Sequence, residues 1–144
     1  ESISDDTFTV FLLVSFFAPI IEEIIFRGII QKGLINKGVK PQTAIVVSAL
    51  VFGLVHFNPW QFIGAFLLGL VLGVVYFKTK SLLMPMLLHF FNNTIAAILM
   101  KFYDTESFSE LLNIPNYIIL LAGILIFAVF YYLFMYKNRI YYRE

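Results

Sequence analysis

The stretch Pro19-Ile20-Ile21-Glu22-Glu23-Ile24-Ile25-Phe26-Arg27-Gly28 sets two carboxylates and a guanidinium inside a run that is otherwise apolar from Phe8 to Ile30. At the centre of a bilayer each such charge costs about 2.5–3.5 kcal/mol on an insertion scale, so three cost on the order of 8–10 kcal/mol. The sixteen apolar residues of the run return about 0.3–0.6 kcal/mol each, roughly 5–10 kcal/mol together. A helix made of this stretch therefore gains little or nothing by crossing a membrane alone. It needs partners in other helices, and an ionisable group within a membrane marks a functional site by default.

Composition places the whole chain in that setting. Of the 144 residues, 60% are hydrophobic and only 13% charged, and the mean hydropathy is +0.88. Such long apolar runs belong to a polytopic membrane protein, expected as a single all-α membrane domain over 1–144 with the lipid bilayer as its surroundings and no nucleic-acid partner. With no cysteine, disulfides, thiol catalysis and cysteine-ligated metal sites are excluded. The chain begins at Glu1 without a basic n-region or a small-residue cleavage site. That start reads as a truncated or processed end rather than a signal peptide.

Five spans are expected, at 8–30, 43–57, 61–77, 82–100 and 117–136. The second is short, at roughly 22 Å of helix against a hydrocarbon core of about 30 Å. Charge gives the bundle an orientation. With the N-terminus outside and the C-terminus in the cytoplasm, the loops carrying Lys32, Lys37, Lys40, Lys78 and Lys80 and the tail carrying Lys137, Arg139 and Arg143 fall inside. That placement of the basic residues is what the positive-inside rule requires, and Glu1, Asp5, Asp6, Asp104, Glu106 and Glu110 fall outside. Ala65, Gly69 and Gly73, spaced by four, form a small-residue face for close helix approach, within the bundle or as a homodimer contact. Pro19 and Pro85 lie inside spans and precede polar clusters, where each removes a backbone hydrogen bond.

Helical spacing sorts the polar residues. Glu23 and Arg27 are four apart and can pair along one face. Glu22 is turned about 100° away and is free to face a cavity, so Glu22 is the candidate acid or base and Glu23 with Arg27 neutralise and orient. Both histidines of the chain are expected in spans: His56 four residues after Phe52, and His89 four residues before Asn93, which shares its face. Counting about 1.5 Å per residue from the inner end of each span puts Glu22, His56, His89 and Asn93 in one slab of the membrane. Convergence is then geometrically allowed.

Glu22-Glu23-x-x-x-Arg27, Phe52-x-x-x-His56 and His89-x-x-x-Asn93 resemble, in order, the three motifs of the CPBP family. That family includes type II CAAX prenyl endopeptidases and bacteriocin-processing or bacteriocin-immunity (Abi) proteins. The resemblance spans Pro19 to Asn93, about half the chain, and family members usually carry further membrane helices before the first motif. It implies an intramembrane endopeptidase in a bacterial plasma membrane, acting on a peptide or lipidated protein substrate. In that reading Glu22 with His56 activates a water, and His89 with Asn93 stabilises the oxyanion. Glu22, His56 and His89 also make a conceivable His₂Glu zinc set. There is no His-Glu-x-x-His helix to place two ligands, and metal-free water activation is the preferred expectation. A non-catalytic immunity or partner-binding protein on the same scaffold is the alternative. A proton-coupled transporter is a weaker rival, because no inverted repeat is visible.

Overall fold

Prolines and left-handed turns punctuate the chain. Pro41 and Pro59 stand at the first position of the second and third helices, where a missing N–H goes unnoticed. Gly38 (φ 85°) and Phe57 (φ 52°) make the turns just before them. The computed structural model describes residues 8–103, 110 and 112–133. Through these run five helices: α1, Phe8–Asn36; α2, Pro41–Leu54; α3, Pro59–Thr79; α4, Leu83–Tyr103; and α5, Asn116–Tyr132. There is no strand among the described residues, and the expected all-α membrane bundle is what forms. α1, α3 and α4 are long and apolar enough to cross a membrane, while α2 and α5 are shorter apolar helices. Positions 134–136 of the expected fifth span, the basic tail, and Glu1, Asp5, Asp6, Asp104 and Glu106 lie outside the described residues.

Most element ends shift by one to three residues from the sequence reading, and two shifts bear on the site. α1 continues six residues past Ile30 because Gln31, although polar, is fully buried and donates from Nε2 to the Gly73 carbonyl at 2.9 Å. The helix stops where Lys37 and Gly38 fold back onto the carbonyls of Gly33 and Ile35, a glycine in the left-handed conformation just past the end. α2 ends at Leu54, three residues short of the expected 57. His56 therefore lies in the turn after the helix rather than within it.

α1 is one continuous helix with two π-helical stretches, Leu12–Phe17 and Ile24–Gln31, flanking an α-helical piece, Ala18–Glu23. The Glu-Glu pair thus sits at the junction of two helical registers, and π turns are frequent at functional sites.

The helices fall into two compact units, divided between Ile95 and Ala96. The first contains α1, α2, α3 and α4 as far as Ile95. In it α2 and α3 form an antiparallel hairpin. A Cβ added to Gly53 would meet Phe62 at 2.9 Å, one on Gly69 would meet the Ala49 backbone at 3.0 Å, and one on Gly73 would meet Ile45 at 3.0 Å. α1 runs parallel to α3, since Arg27 and Gln31 reach the carbonyls of Gly69 and Gly73. Ser48 of α2 donates to the Phe26 carbonyl at 2.7 Å. The small-residue face of α3 is therefore packed, at Gly69 and Gly73, against this chain's own α1 and α2.

Polar and charged groups share the interior with apolar residues such as Phe26, Ala49, Phe52 and Leu72. Ser15, Glu23, Arg27, Gln31, Ser48 and His89 are buried, while Ile21, Ile25, Ile29, Leu50, Leu54 and Leu87 are exposed. Apolar side chains facing outward suit lipid, and the polar groups find each other inside.

Space at two glycines separates packing from propensity. Gly69→Ala is expected to destabilise the fold by about 1–3 kcal/mol through overpacking against backbone. Gly64 has no neighbour within 4 Å of an added Cβ, and Gly64→Ala is expected to be neutral or to stabilise by up to about 1 kcal/mol. Thermal unfolding of the two variants in detergent measures the contrast.

Candidate active site

The buried ion pair organises the site. Arg27 Nη1 donates to Glu23 Oε1 at 2.8 Å, with both side chains fully buried. Nη2 of the same guanidinium donates to the Gly69 carbonyl at 3.0 Å, and its Cζ lies over the Phe52 ring, 4.9 Å from the ring centre. One arginine thereby joins α1, α2 and α3. The planar fork makes this possible, since it offers several donors in fixed directions and stacks on an aromatic face.

Glu23 Oε1 accepts a second hydrogen bond, from His89 Nδ1 of α4 at 2.9 Å. A carboxylate only accepts, so Nδ1 of His89 carries the proton and its Nε2 is turned outward from the pair. Nε2 lies 3.5 Å from Glu22 Oε2. The two adjacent carboxylates therefore address opposite nitrogens of one imidazole. They also differ in access: the Glu23 side chain has no exposed area, and that of Glu22 is 31% exposed.

His56 closes the C-terminal end of α2. Its Nδ1 donates to the Phe52 carbonyl at 2.8 Å, satisfying one of the carbonyls a helix end leaves over. That bond leaves Nε2 as the acceptor of the neutral ring. The His56 ring packs edge-on against Phe52 at 5.0 Å. Phe52 also packs edge-on against His89 at 5.5 Å and against Phe26 at 5.0 Å. Asn93, one turn beyond His89 on α4, donates from Nδ2 to the Val14 carbonyl of α1 at 3.0 Å. Its Oδ1 accepts from Asn92 at 3.3 Å.

Glu22, Glu23, Arg27 and His89 are thus linked directly, and His56 joins them through the Phe52 ring. Asn93 is held against α1 two turns before Glu22. As for a zinc ion, no three His, Asp or Glu side chains among the described residues gather as a ligand set. Glu22, His56 and His89 do not come together as the donor set that such an ion needs. The arrangement offers a reachable carboxylate beside an imidazole whose proton is held on the buried side, which are parts of general acid–base chemistry.

The sequence model described as "Type II CAAX prenyl endopeptidase Rce1-like" matches residues 4–95. The chain belongs to this Rce1-like family. The match ends at the residue where the first compact unit ends, and all six site residues lie within it. The chain is 31% identical over 111 residues to the membrane-embedded CAAX protease MroQ of Staphylococcus aureus (strain USA300), an alignment covering 73% of this chain and 44% of that protein. It is 32% identical over 88 residues to YdiL of Bacillus subtilis (strain 168), provisionally named a membrane peptidase, covering 61% of this chain and 36% of that one. The chain spans less than half the length of either relative. No solved structure matches it significantly.

Three contributors to this candidate site were not assigned a task from sequence. Phe52 is the common wall of Arg27, His56 and His89, and its spacing of four from His56 was the available signal. The Gly69 carbonyl anchors Arg27, and the small-residue face hinted at close approach without naming a hydrogen bond. The Val14 carbonyl that holds Asn93 had no signal, because any residue type supplies a carbonyl.

Removing Arg27 is expected to be costly. Arg27→Met leaves a buried carboxylate whose remaining partner is His89, at about 3–5 kcal/mol. Arg27→Lys is expected to recover only a minor part, because an ammonium cannot hold Glu23, the Gly69 carbonyl and the Phe52 face together. Denaturant unfolding in mixed micelles measures both losses.

Proposed function

We propose that this chain forms the catalytic portion of an intramembrane endopeptidase that hydrolyses a peptide bond in a membrane-associated peptide or lipidated protein. The membership in a family named for CAAX prenyl endopeptidases supports the reaction class. The observation that carries the mechanism is the division between the two carboxylates. Glu22 is reachable and lies by His89 Nε2, whereas Glu23 is buried and holds His89 Nδ1.

Glu22, with the acceptor nitrogen of His56, takes a proton from water as its oxygen attacks the scissile carbonyl. The C–O bond forms, the carbonyl oxygen becomes an oxyanion, and the C–N bond then breaks as Glu22 passes the proton to the leaving amine. His89, when it carries a proton on Nε2 as well, donates to the oxyanion. Its positive charge is then compensated by Glu23 at the other nitrogen. The second N–H of the Asn93 carboxamide is the other oxyanion donor. The enzyme sits in a bacterial plasma membrane, N-terminus out and C-terminus in, with the lysines of the α1–α2 and α3–α4 turns on the cytoplasmic face. A lipidated C-terminal tail delivered from that face suits such an orientation, and a membrane-held leader peptide suits the same chemistry.

Cleavage of a membrane-delivered peptide by the full-length protein tests the reading. Glu22→Gln and His56→Ala are expected to abolish turnover, and Asn93→Ala to lower kcat about 10²–10³-fold, the usual loss for one oxyanion donor. If Glu22→Gln retains activity while Glu23→Gln loses it at unchanged stability, the assignment of the base is wrong. Activity is expected to survive 1,10-phenanthroline; loss that added zinc restores would overturn the metal-free route.

A further inference from the structure

The carbonyl that holds Asn93 is available for a specific reason. In a π-helical register each carbonyl pairs with the N–H five residues on, and at the end of the Leu12–Phe17 stretch the Ala18 N–H bonds to the Leu13 carbonyl. The next pair in that register is the Val14 carbonyl with the nitrogen of residue 19. Residue 19 is proline and has no hydrogen to give. In an apolar surrounding an unpaired carbonyl is costly and must find another donor. The donor is Asn93, whose Nδ2 lies 3.0 Å from the Val14 oxygen. With Asn92 Nδ2 on the carboxamide oxygen at 3.3 Å, the plane of the Asn93 carboxamide is fixed at both ends, and one N–H remains for another acceptor.

We infer that Pro19 is a positioning residue for Asn93: by withholding an N–H it frees the Val14 carbonyl to orient the Asn93 carboxamide across the α1–α4 contact. The inference rests on the reading of Asn93 as an oxyanion donor only for its kinetic consequence. The coupling of Pro19 to Asn93 stands on the hydrogen bond itself. It also gives the π-helical stretch a task. In an α-helical register the proline would free the Ser15 carbonyl instead, one residue away and about 100° around the helix.

Pro19→Ala in the full-length protein supplies the missing N–H, which competes with Asn93 for the Val14 carbonyl. The expected result is a fall in kcat of about tenfold with KM unchanged, together with a Tm equal to or above that of the unaltered protein, since alanine completes the helix. In an Asn93→Ala background the same change is expected to lower kcat no further. A merely structural proline would lower Tm and reduce kcat by the same factor in both backgrounds, and that outcome overturns the inference. Unchanged kcat in Pro19→Ala overturns it as well. If Asn93→Ala itself keeps full activity, the oxyanion role fails. The coupling is then read from stability alone: Asn93→Ala lowers Tm when residue 19 is proline and leaves it unchanged when residue 19 is alanine. Equal Tm losses in the two backgrounds sink it. Pro19→Ser restores the same N–H and serves as the second variant. Failure of both to fold contradicts the expectation of a better-paired helix.

Discussion

Everything in the first unit depends on keeping Glu23 and Arg27 charged, buried and paired. A buried charge without a partner is intolerable in a low-dielectric interior, and a pair is tolerated only when its remaining donors and acceptors are also met. The protein meets part of that demand by recruiting one group from each neighbouring helix, the Gly69 carbonyl from α3, the Phe52 face from α2 and His89 from α4, while Glu23 Oε2 and Arg27 Nε have no hydrogen-bond partner among the described residues. The demand of one ion pair thus dictates which helices must touch and at what height. Lipid gives no hydrophobic drive to bring apolar helices together, so polar contacts and close backbone packing have that task. The glycines of α3 serve both, admitting the neighbouring backbone and exposing the carbonyls that Arg27 and Gln31 use.

Much of this was legible because membrane physics makes charge expensive. The cost of three charges in one apolar run required partners before any were known, and the spacing of Glu23 and Arg27 named the first. The all-α class followed from long apolar runs in which backbone groups must be satisfied locally. What escaped the sequence was of another kind. Helix periodicity assumes 100° per residue, and α1 departs from it twice. Gln31 reads as the start of a loop by polarity, but it is buried because a glycine carbonyl on another helix accepts its amide. His56 reads as part of a helix by the run of apolar neighbours, but it is the residue that closes one. Backbone carbonyls at Val14, Phe52 and Gly69 have no sequence signature, yet each fixes a polar side chain of the site.

The match of the family to residues 4–95 and the division of the fold at Ile95 concern the same segment. This is what the polar network would require. Every side chain in it comes from α1, from the α2–α3 hairpin with its adjoining turn, or from α4 before Ile95, and those elements are tied by hydrogen bonds as well as by packing. α5 and the end of α4 carry none of the site residues, and α5 is apolar throughout from Tyr117 to Val129 apart from the small Gly123.

Two neighbouring glutamates in one helix would ordinarily repel each other and share a similar environment. Here the helix turns them apart and the imidazole between them makes the difference useful. Glu23 is fixed by Arg27 and spends one oxygen on two donors, so it cannot move a proton without dismantling the contacts of α1 with α4. Glu22 has no such obligations, keeps part of its surface open, and meets the same imidazole at the nitrogen that Glu23 leaves free. A tautomer fixed from the buried side presents a defined atom on the accessible side. In the proposed mechanism the two carboxylates in the membrane then have separate tasks: Glu22 exchanges protons, and Glu23 holds still the ring with which it would exchange them.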